Sequence, residues 1–326
     1  MPDAVHTLLE VSMSTVVPRC LHVVANLGVA DALSDSPRSA EDLAADCGAD
    51  AGALGRALRL LAAYGIFESR DGAWAHTEAS RLLRADHPQS LRSFVRMIGM
   101  DIQWRTMESL AHSIRTGKSS AEAALPGGMW KYMSEHPEES KLFDDSMRDK
   151  ARGQVFGILA KYDFSPFKTI ADIGGGGGHL LKAVIEATPN ASGVLFDLPH
   201  VTAKVAESPR LRTHPGDFFK DQIPDCDAYM IMQVIHDWSD EESARILKAI
   251  RNGAHVGSRL LLIEAIMPED AAPSWVKMLD IFMLASLTGK ERTRAQYDVL
   301  LKGAGFRLDR VIDIGQDTSI LEATAI

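Results

Sequence analysis

The spacing of hydrophobic positions changes once along the chain, near Ser165-Pro166. Before that point apolar residues recur at helical intervals. Leu54, Leu58, Leu60, Leu61 and Tyr64 form one such stripe, ended by Gly65. Phe94, Met97, Met100 or Ile98, Trp104 and Met107 form another. Pro126-Gly127-Gly128 interrupts the pattern. It resumes around residues 130–133, and again after Pro137 through Phe143 and Met147 towards Tyr162. From Thr169 onward, short β-like runs at 169–173, 193–197, 211–214, 228–235 and 259–266 alternate with helical stretches. One of these, 239–251, opens with Ser239 as N-cap and Asp240-Glu241-Glu242 in its first turn. Such alternation predicts an α/β fold with a doubly wound parallel sheet. A helix over 294–304 and runs at 306–314 and 318–325 predict an antiparallel edge hairpin at the C-terminal end.

The first 96 residues differ in kind. Ala25, Leu27, Val29, Ala30 and Leu33 belong to an apolar stretch closed by residues 34–37, and Ser39 caps a short helix. Residues 66–68 and 73–76 flank the Asp71-Gly72 turn as a small hairpin. Helix, helix, hairpin is the order of a winged helix. The division expected is 1–96, a helical linker and acceptor-pocket region at 97–164, and 165–326. With 46% hydrophobic and 24% charged residues the chain reads as globular. A winged helix admits a DNA-binding regulator as a competing reading. Residues 1–96, however, carry nine Arg, no Lys and twelve acidic residues, and the whole chain has a net charge of −9. That balance argues against a nucleic-acid partner. Cys20, Cys47 and Cys226 are too scattered for a disulfide framework or a cysteine metal site. No secretory leader pattern and no run of 18 consecutive apolar residues is found, so the expectation is a cytoplasmic protein without a membrane partner.

The chemistry concentrates where strands end. Residues 170–179 read as an apolar strand, then Gly174, Gly175, Gly176, Gly177 and Gly178, then a helix. Glycine permits a tight turn and close approach of a ligand to the main chain. The dinucleotide pattern G-x-G-x-x-G fails, because its last position is His179. The form D-x-G-x-G-x-G fits through Asp172, Gly174, Gly176 and Gly178, and suits a sulfonium donor that needs no pyrophosphate cradle. Asp197, followed by Leu198, ends the next strand and can accept from two ribose hydroxyls. Asp217 follows the next, with Phe218 beside it for an adenine ring. Met232 and Gln233 lie in the fourth run, and His236, Asp237 and Trp238 follow it. A neutral imidazole of ordinary pKa can take a proton from a phenol. Glu264 and Glu291 are the carboxylates able to orient it.

The stretches ADIGGGGG, FDLPHV, GDFF, IHDWSDEE, LIEAIMPE and GKERT, in that order, resemble the plant caffeate-type and bacterial antibiotic-type O-methyltransferases. The resemblance extends to LHVVANLGVADAL and RALRLLAAYGIFE near the N-terminus. It implies a winged-helix-like dimerisation domain, a homodimer, and a Rossmann-like domain for S-adenosylmethionine (SAM), released as S-adenosylhomocysteine. It implies His236 as base flanked by Glu264 and Glu291, Asp197 on the ribose, and Asp217 and Phe218 on the adenine. Trp238 is implied to stack on the adenine, and Phe143 and Met147 to resemble the family's F-x-x-x-M helix. Met232 departs from the Lys that plant members often place there. No metal is implied. Met97, Met100, Trp104, Trp130, Met133, Phe143, Met147, Phe282 and Met283, together with Asp237, are candidates to line a flat pocket for a hydroxylated aromatic or polycyclic acceptor. A decarboxylase or hydroxylase on the same scaffold is the alternative chemistry. The pair of glutamates beside His236 argues against it.

Overall fold

The computed structural model describes residues 3–326. The chain divides into two compact units, residues 1–105 with 133–150, and residues 106–132 with 151–326. Residues 97–164 thus fall partly in each.

The first unit is mostly helical. Helix Val16–Leu27 stops at Gly28, whose left-handed conformation (φ 72°) suits a residue without Cβ. Ser39 and Asp50 accept backbone N–H bonds at the starts of helices Ala40–Cys47 and Ala51–Ala63. Strands β1 (Phe67–Arg70) and β2 (Ala73–His76) pair antiparallel around Asp71-Gly72, so the helix–helix–hairpin order is realised. Leu33, Leu43, Leu54, Leu58, Leu61 and Phe67 form the core. At the N-terminal end, Ala4–Leu27 is long and apolar enough to cross a membrane by length and composition alone, with mean hydropathy 1.3. The sequence hides this because His6, Glu10 and several hydroxyl residues interrupt any continuous apolar run. Val5, Leu8, Leu9, Val11 and Met13 are exposed, Leu8 to 70%.

The second unit is built on a seven-stranded sheet. Its strands are β3 (Thr169–Ile173), β4 (Ser192–Asp197), β5 (Leu211–Pro215), β6 (Ala228–Met232), β7 (Arg259–Glu264), β8 (Phe306–Gly315) and β9 (Thr318–Ala325). Their order is β5-β4-β3-β6-β7-β9-β8. All neighbours run parallel except the pairs that involve β9. The C-terminal hairpin therefore forms the edge, with β9 inside and β8 outermost. Helices cover both faces, which is why the parallel strands read as continuous apolar runs. Leu260 and Leu262 pack with Ile246, Leu247 and Ile250 on one side. Leu261 and Ile263 pack with Leu180, Leu181 and Val184 on the other. Each such side chain taken out of water contributes about 1.5–3 kcal/mol.

The strand expected over 228–235 is shorter. It ends at Met232, and Gln233 takes φ 52°, a conformation no strand continues through. Ile235–Asp237 then form one 3-10 turn. Because β3 lies between β4 and β6, the strand order reverses there. The carboxyl ends of β3 and β6 open side by side, where doubly wound sheets take ligands.

Candidate active site

The glycine turn follows β3 directly. Gly174, Gly176 and Gly178 have φ of 68°, 55° and 71°. A Cβ on Gly175 would overlap the Asp172 carboxylate and the Leu195 side chain. A Cβ on Gly174 would sit 3.1 Å from Val234 Cγ2 and 4.0 Å from Phe218. The turn, the Val234 segment and Phe218 thus converge on one place. Asp197, at the end of β4, accepts the Gly176 N–H at Oδ2 (2.8 Å) and the Leu198 N–H at Oδ1 (2.7 Å). It shapes the turn, and each oxygen keeps a lone pair for a further donor. Leu198 itself is exposed.

Asp172 is buried, and its Oδ2 has no hydrogen-bond partner. Burial, with the Asp197 charge beside it, pushes its carboxyl up to about 7. Asp217 is differently placed. Its Oδ1 accepts the Phe219 N–H (2.9 Å) and its Oδ2 pairs with Lys220 (2.8 Å), and Lys220 holds the carboxyl below the usual range. Phe218, Phe219 and Trp238 meet edge-on, with Phe218–Trp238 centroids 5.9 Å apart. Met232 is half-buried against the sheet core.

His236 is buried. Its Nδ1 lies 2.7 Å from Glu291 Oε1. A carboxylate only accepts, so Nδ1 carries the proton, and in the neutral ring Nε2 bears the free lone pair. Asp237 Oδ1 is 3.5 Å from Nε2. The two glutamates hold different things. Glu264 Oε2 stands 3.9 Å from Nδ1, while its Oε1 accepts the successive N–H groups of Val234, Ile235 and His236 at 3.1, 2.9 and 3.4 Å. Glu264 fixes the main chain of the 3-10 turn; Glu291 fixes the ring. Burial alone would lower the His236 pKa, but Glu264, Asp237 and Glu291 outweigh it and push it up to about 9. The resting imidazole is therefore protonated at neutral pH, unlike the ordinary histidine expected from the sequence. Burial pushes Glu264 up to about 7.

Glu291 sits in the loop between helices Trp275–Ser286 and Arg294–Gly303, where its N–H donates to Asp280 Oδ1 (2.9 Å). Sequence reasoning passed over Gly289 and Arg292, which flank it. A Cβ on Gly289 would overlap the His236 carbonyl oxygen, and Arg292 is fully buried. The buried Tyr297 hydroxyl, held well above its usual pKa by burial and by Glu264 and Glu291, was also missed. A charged residue next to two motif residues was the available signal.

The remaining candidates lie in both units. Met97, Met100 and Met133 are buried in the first unit, with Trp104 half-buried there. Phe143 and Met147 are half-buried on the part of helix Pro137–Lys161 that belongs to that unit. Asp237, Phe282 and Met283 belong to the second unit, as does Trp130, which is 53% exposed. Among the described residues, no group of three or more His, Cys, Asp or Glu side chains is placed to hold a metal ion.

A family profile for an O-methyltransferase domain matches residues 107–307, and one for an O-methyltransferase dimerisation domain matches residues 9–86. The chain belongs to the SAM-dependent O-methyltransferase family. It is 36% identical to a phenazine O-methyltransferase of Lysobacter antibioticus, over 98% of this chain and 96% of that one. It is 35% identical to a mitomycin biosynthesis 6-O-methyltransferase of Streptomyces lavendulae, over 91% and 87%. Among solved structures, a methyltransferase of calicheamicin biosynthesis in its S-adenosylhomocysteine-bound form superposes with TM-score 0.91 at 32% identity, covering 100% of both chains. This O-methyltransferase thus shares the helical N-terminal region and the mainly parallel sheet with antiparallel edge strands of its relatives.

Proposed function

We propose that this O-methyltransferase methylates a hydroxyl of a small aromatic or polycyclic acceptor, with His236 as the general base. The observation that carries the reading is the 2.7 Å bond from Nδ1 to Glu291, which leaves Nε2 of the neutral ring as the acceptor of a proton.

The residues after β3 and β4 fit the donor. Only glycines leave room at 174 and 175, the unpartnered Asp172 Oδ2 suits a cationic amino group, and Asp197 has lone pairs to spare for ribose hydroxyls. Phe218 and Trp238 offer apolar faces for a purine, and the second lone pairs of Asp217 suit its amino group. When bound, SAM supplies a methyl carbon made electrophilic by its sulfonium. His236 Nε2 then takes the acceptor's hydroxyl proton as the oxygen becomes nucleophilic. Glu291 holds the ring and stabilises the imidazolium that forms; Glu264 keeps the turn from shifting as charge moves. A positioned base contributes about 10²–10⁴-fold, and alignment of the oxygen with the methyl carbon contributes more. The relatives named for phenazine and mitomycin support a flat acceptor. The exposed apolar side chains of residues 5–13, at the start of the dimerisation domain, support a homodimer in which a second copy covers them.

A panel of phenolic and quinone-like acceptors with methyl-labelled SAM tests the reading. Label transfer and a product heavier by one methyl group are expected. A product that has lost carbon dioxide or gained oxygen would contradict it.

A further inference from the structure

Arg292 is fully buried, and its guanidinium makes hydrogen bonds to two segments. Nε donates to Asp240 Oδ1 (2.9 Å). Nη1 donates to the carbonyls of Ile235 (3.0 Å) and Lys290 (3.4 Å). Nη2 donates to the Trp238 carbonyl (2.9 Å) and to Ser243 Oγ (3.1 Å). Residues 235–243 carry His236, and residues 289–293 carry Glu291. The same loop is held at its other points by Gly289 against the His236 carbonyl, by Lys290 on Asp240 (2.6 Å), and by the Met267 N–H donating to the Arg292 carbonyl (2.9 Å). A buried cation is costly unless all its donors are used. Here the flat, five-donor fork reaches five acceptors at once, which a lysine cannot do.

We propose that Arg292 is the positioning residue that sets the hydrogen bond between Glu291 and His236, by fastening the glutamate's loop to the segment that carries the histidine. The charged and titratable groups around the imidazole are Asp237 on its own turn, Glu264 on β7, and Glu291 on the loop. Tyr297 lies near the two glutamates and Arg292. Of these, only Glu291 bonds to the ring nitrogen, so loosening its loop removes the contact that both fixes the tautomer and favours the protonated ring. The effect on turnover rests on His236 being the base; the hydrogen bond itself can be read without activity.

The test follows the His236 imidazole by nitrogen-15 NMR, with labelled histidine, across pH 5–10 in the full-length protein. The variants are Arg292→Lys, Glu291→Gln and the two combined, each also assayed for SAM affinity and single-turnover methyl transfer. Glu291→Gln is expected to lower the midpoint by about one pH unit or more, since one unit is a tenfold change in proton affinity. Arg292→Lys should lower it in the same direction, and the combined variant no further than Glu291→Gln alone, because residues acting through one contact do not add. SAM affinity should change less than about threefold, as Arg292 reaches the donor residues only at the main-chain carbonyl of Trp238. Turnover should fall together with the midpoint. An unchanged His236 midpoint in Arg292→Lys overturns the proposal, as does a combined variant whose shift is the sum of the two. A lowered midpoint with unchanged turnover in all three supports the clamp and overturns the base. Should Arg292→Lys not fold, Asp240→Asn at the exposed start of its helix weakens the Nε anchor and the Lys290 pair, both of which tie the loop to the histidine's segment. A smaller shift in the same direction supports the proposal, and none overturns it.

Discussion

Replacing Asp172 by Asn should make the ligand-free protein more stable while weakening its hold on the donor. The carboxyl is buried, one oxygen has no partner, and it titrates at about 7 in the fold. In the unfolded chain it titrates near 3.9. Between those values the native state binds the proton that the unfolded state has released, so stability falls as pH rises from about 4 to about 7. A gap of about three pH units corresponds to roughly 4 kcal/mol above pH 8, at about 1.4 kcal/mol per unit. Asparagine removes the ionisation but brings an amide group that must find an acceptor, a cost of about 1–3 kcal/mol. The expected net gain is on the order of 1–3 kcal/mol at pH 8, shrinking to zero or reversing at pH 4. Urea unfolding of both proteins without ligand, at pH 4, 6 and 8, measures it. The difference between the two curves isolates Asp172, because His236 and Glu264 titrate in both. SAM should then protect the wild type more than the variant. Two parallel curves from pH 4 to 8 would refute the reasoning, since the carboxyl would then titrate alike in both states.

Other expectations follow from the same contacts. Asp197→Ala removes a charged acceptor for ribose hydroxyls and frees the Gly176 and Leu198 N–H groups; calorimetry should show SAM binding weaker by about 1.5–3 kcal/mol, and unchanged affinity would remove Asp197 from the donor site. Because only the neutral imidazole accepts a proton, kcat/KM should rise with pH through the free enzyme's His236 value of about 9. Glu291→Gln should move that midpoint down, and a wild-type midpoint near 6.5, insensitive to Glu291, would contradict the carboxylate cluster's hold on the ring. Light scattering should report twice the 35.5 kDa chain mass, and a concentration-independent monomer would contradict the pairing of residues 5–13 with a second copy.

Elements written locally were legible in the sequence. The glycine turn, the aspartates at strand ends and the Ser239 cap with Glu242 each depend on neighbours a few residues away. What escaped depends on distant residues. Val234 and Ile235 look like a continuing strand, but Glu264, thirty residues on, draws their N–H groups into a turn. Helix Trp275–Ser286 went unread because its apolar residues surround it on nearly every side and leave no stripe. Arg292 looks like a surface charge until the fold brings residues 235–243 to it. The His236 pKa has the same origin, since the carboxylates that raise it arrive from β7 and from the loop before helix Arg294–Gly303.

The central claim is that His236 takes the acceptor's proton, and one paired measurement on His236→Gln tests it most directly. SAM affinity is measured by calorimetry, and single-turnover methyl transfer is followed across pH 5–10. The glutamine keeps a polar side chain but no base. The account predicts near-unchanged SAM affinity, because the donor contacts come from the glycine turn, Asp197 and Asp217. It predicts transfer slowed by about 10²-fold or more, with its rise towards high pH abolished. Transfer near the wild-type rate with the pH rise intact would contradict it.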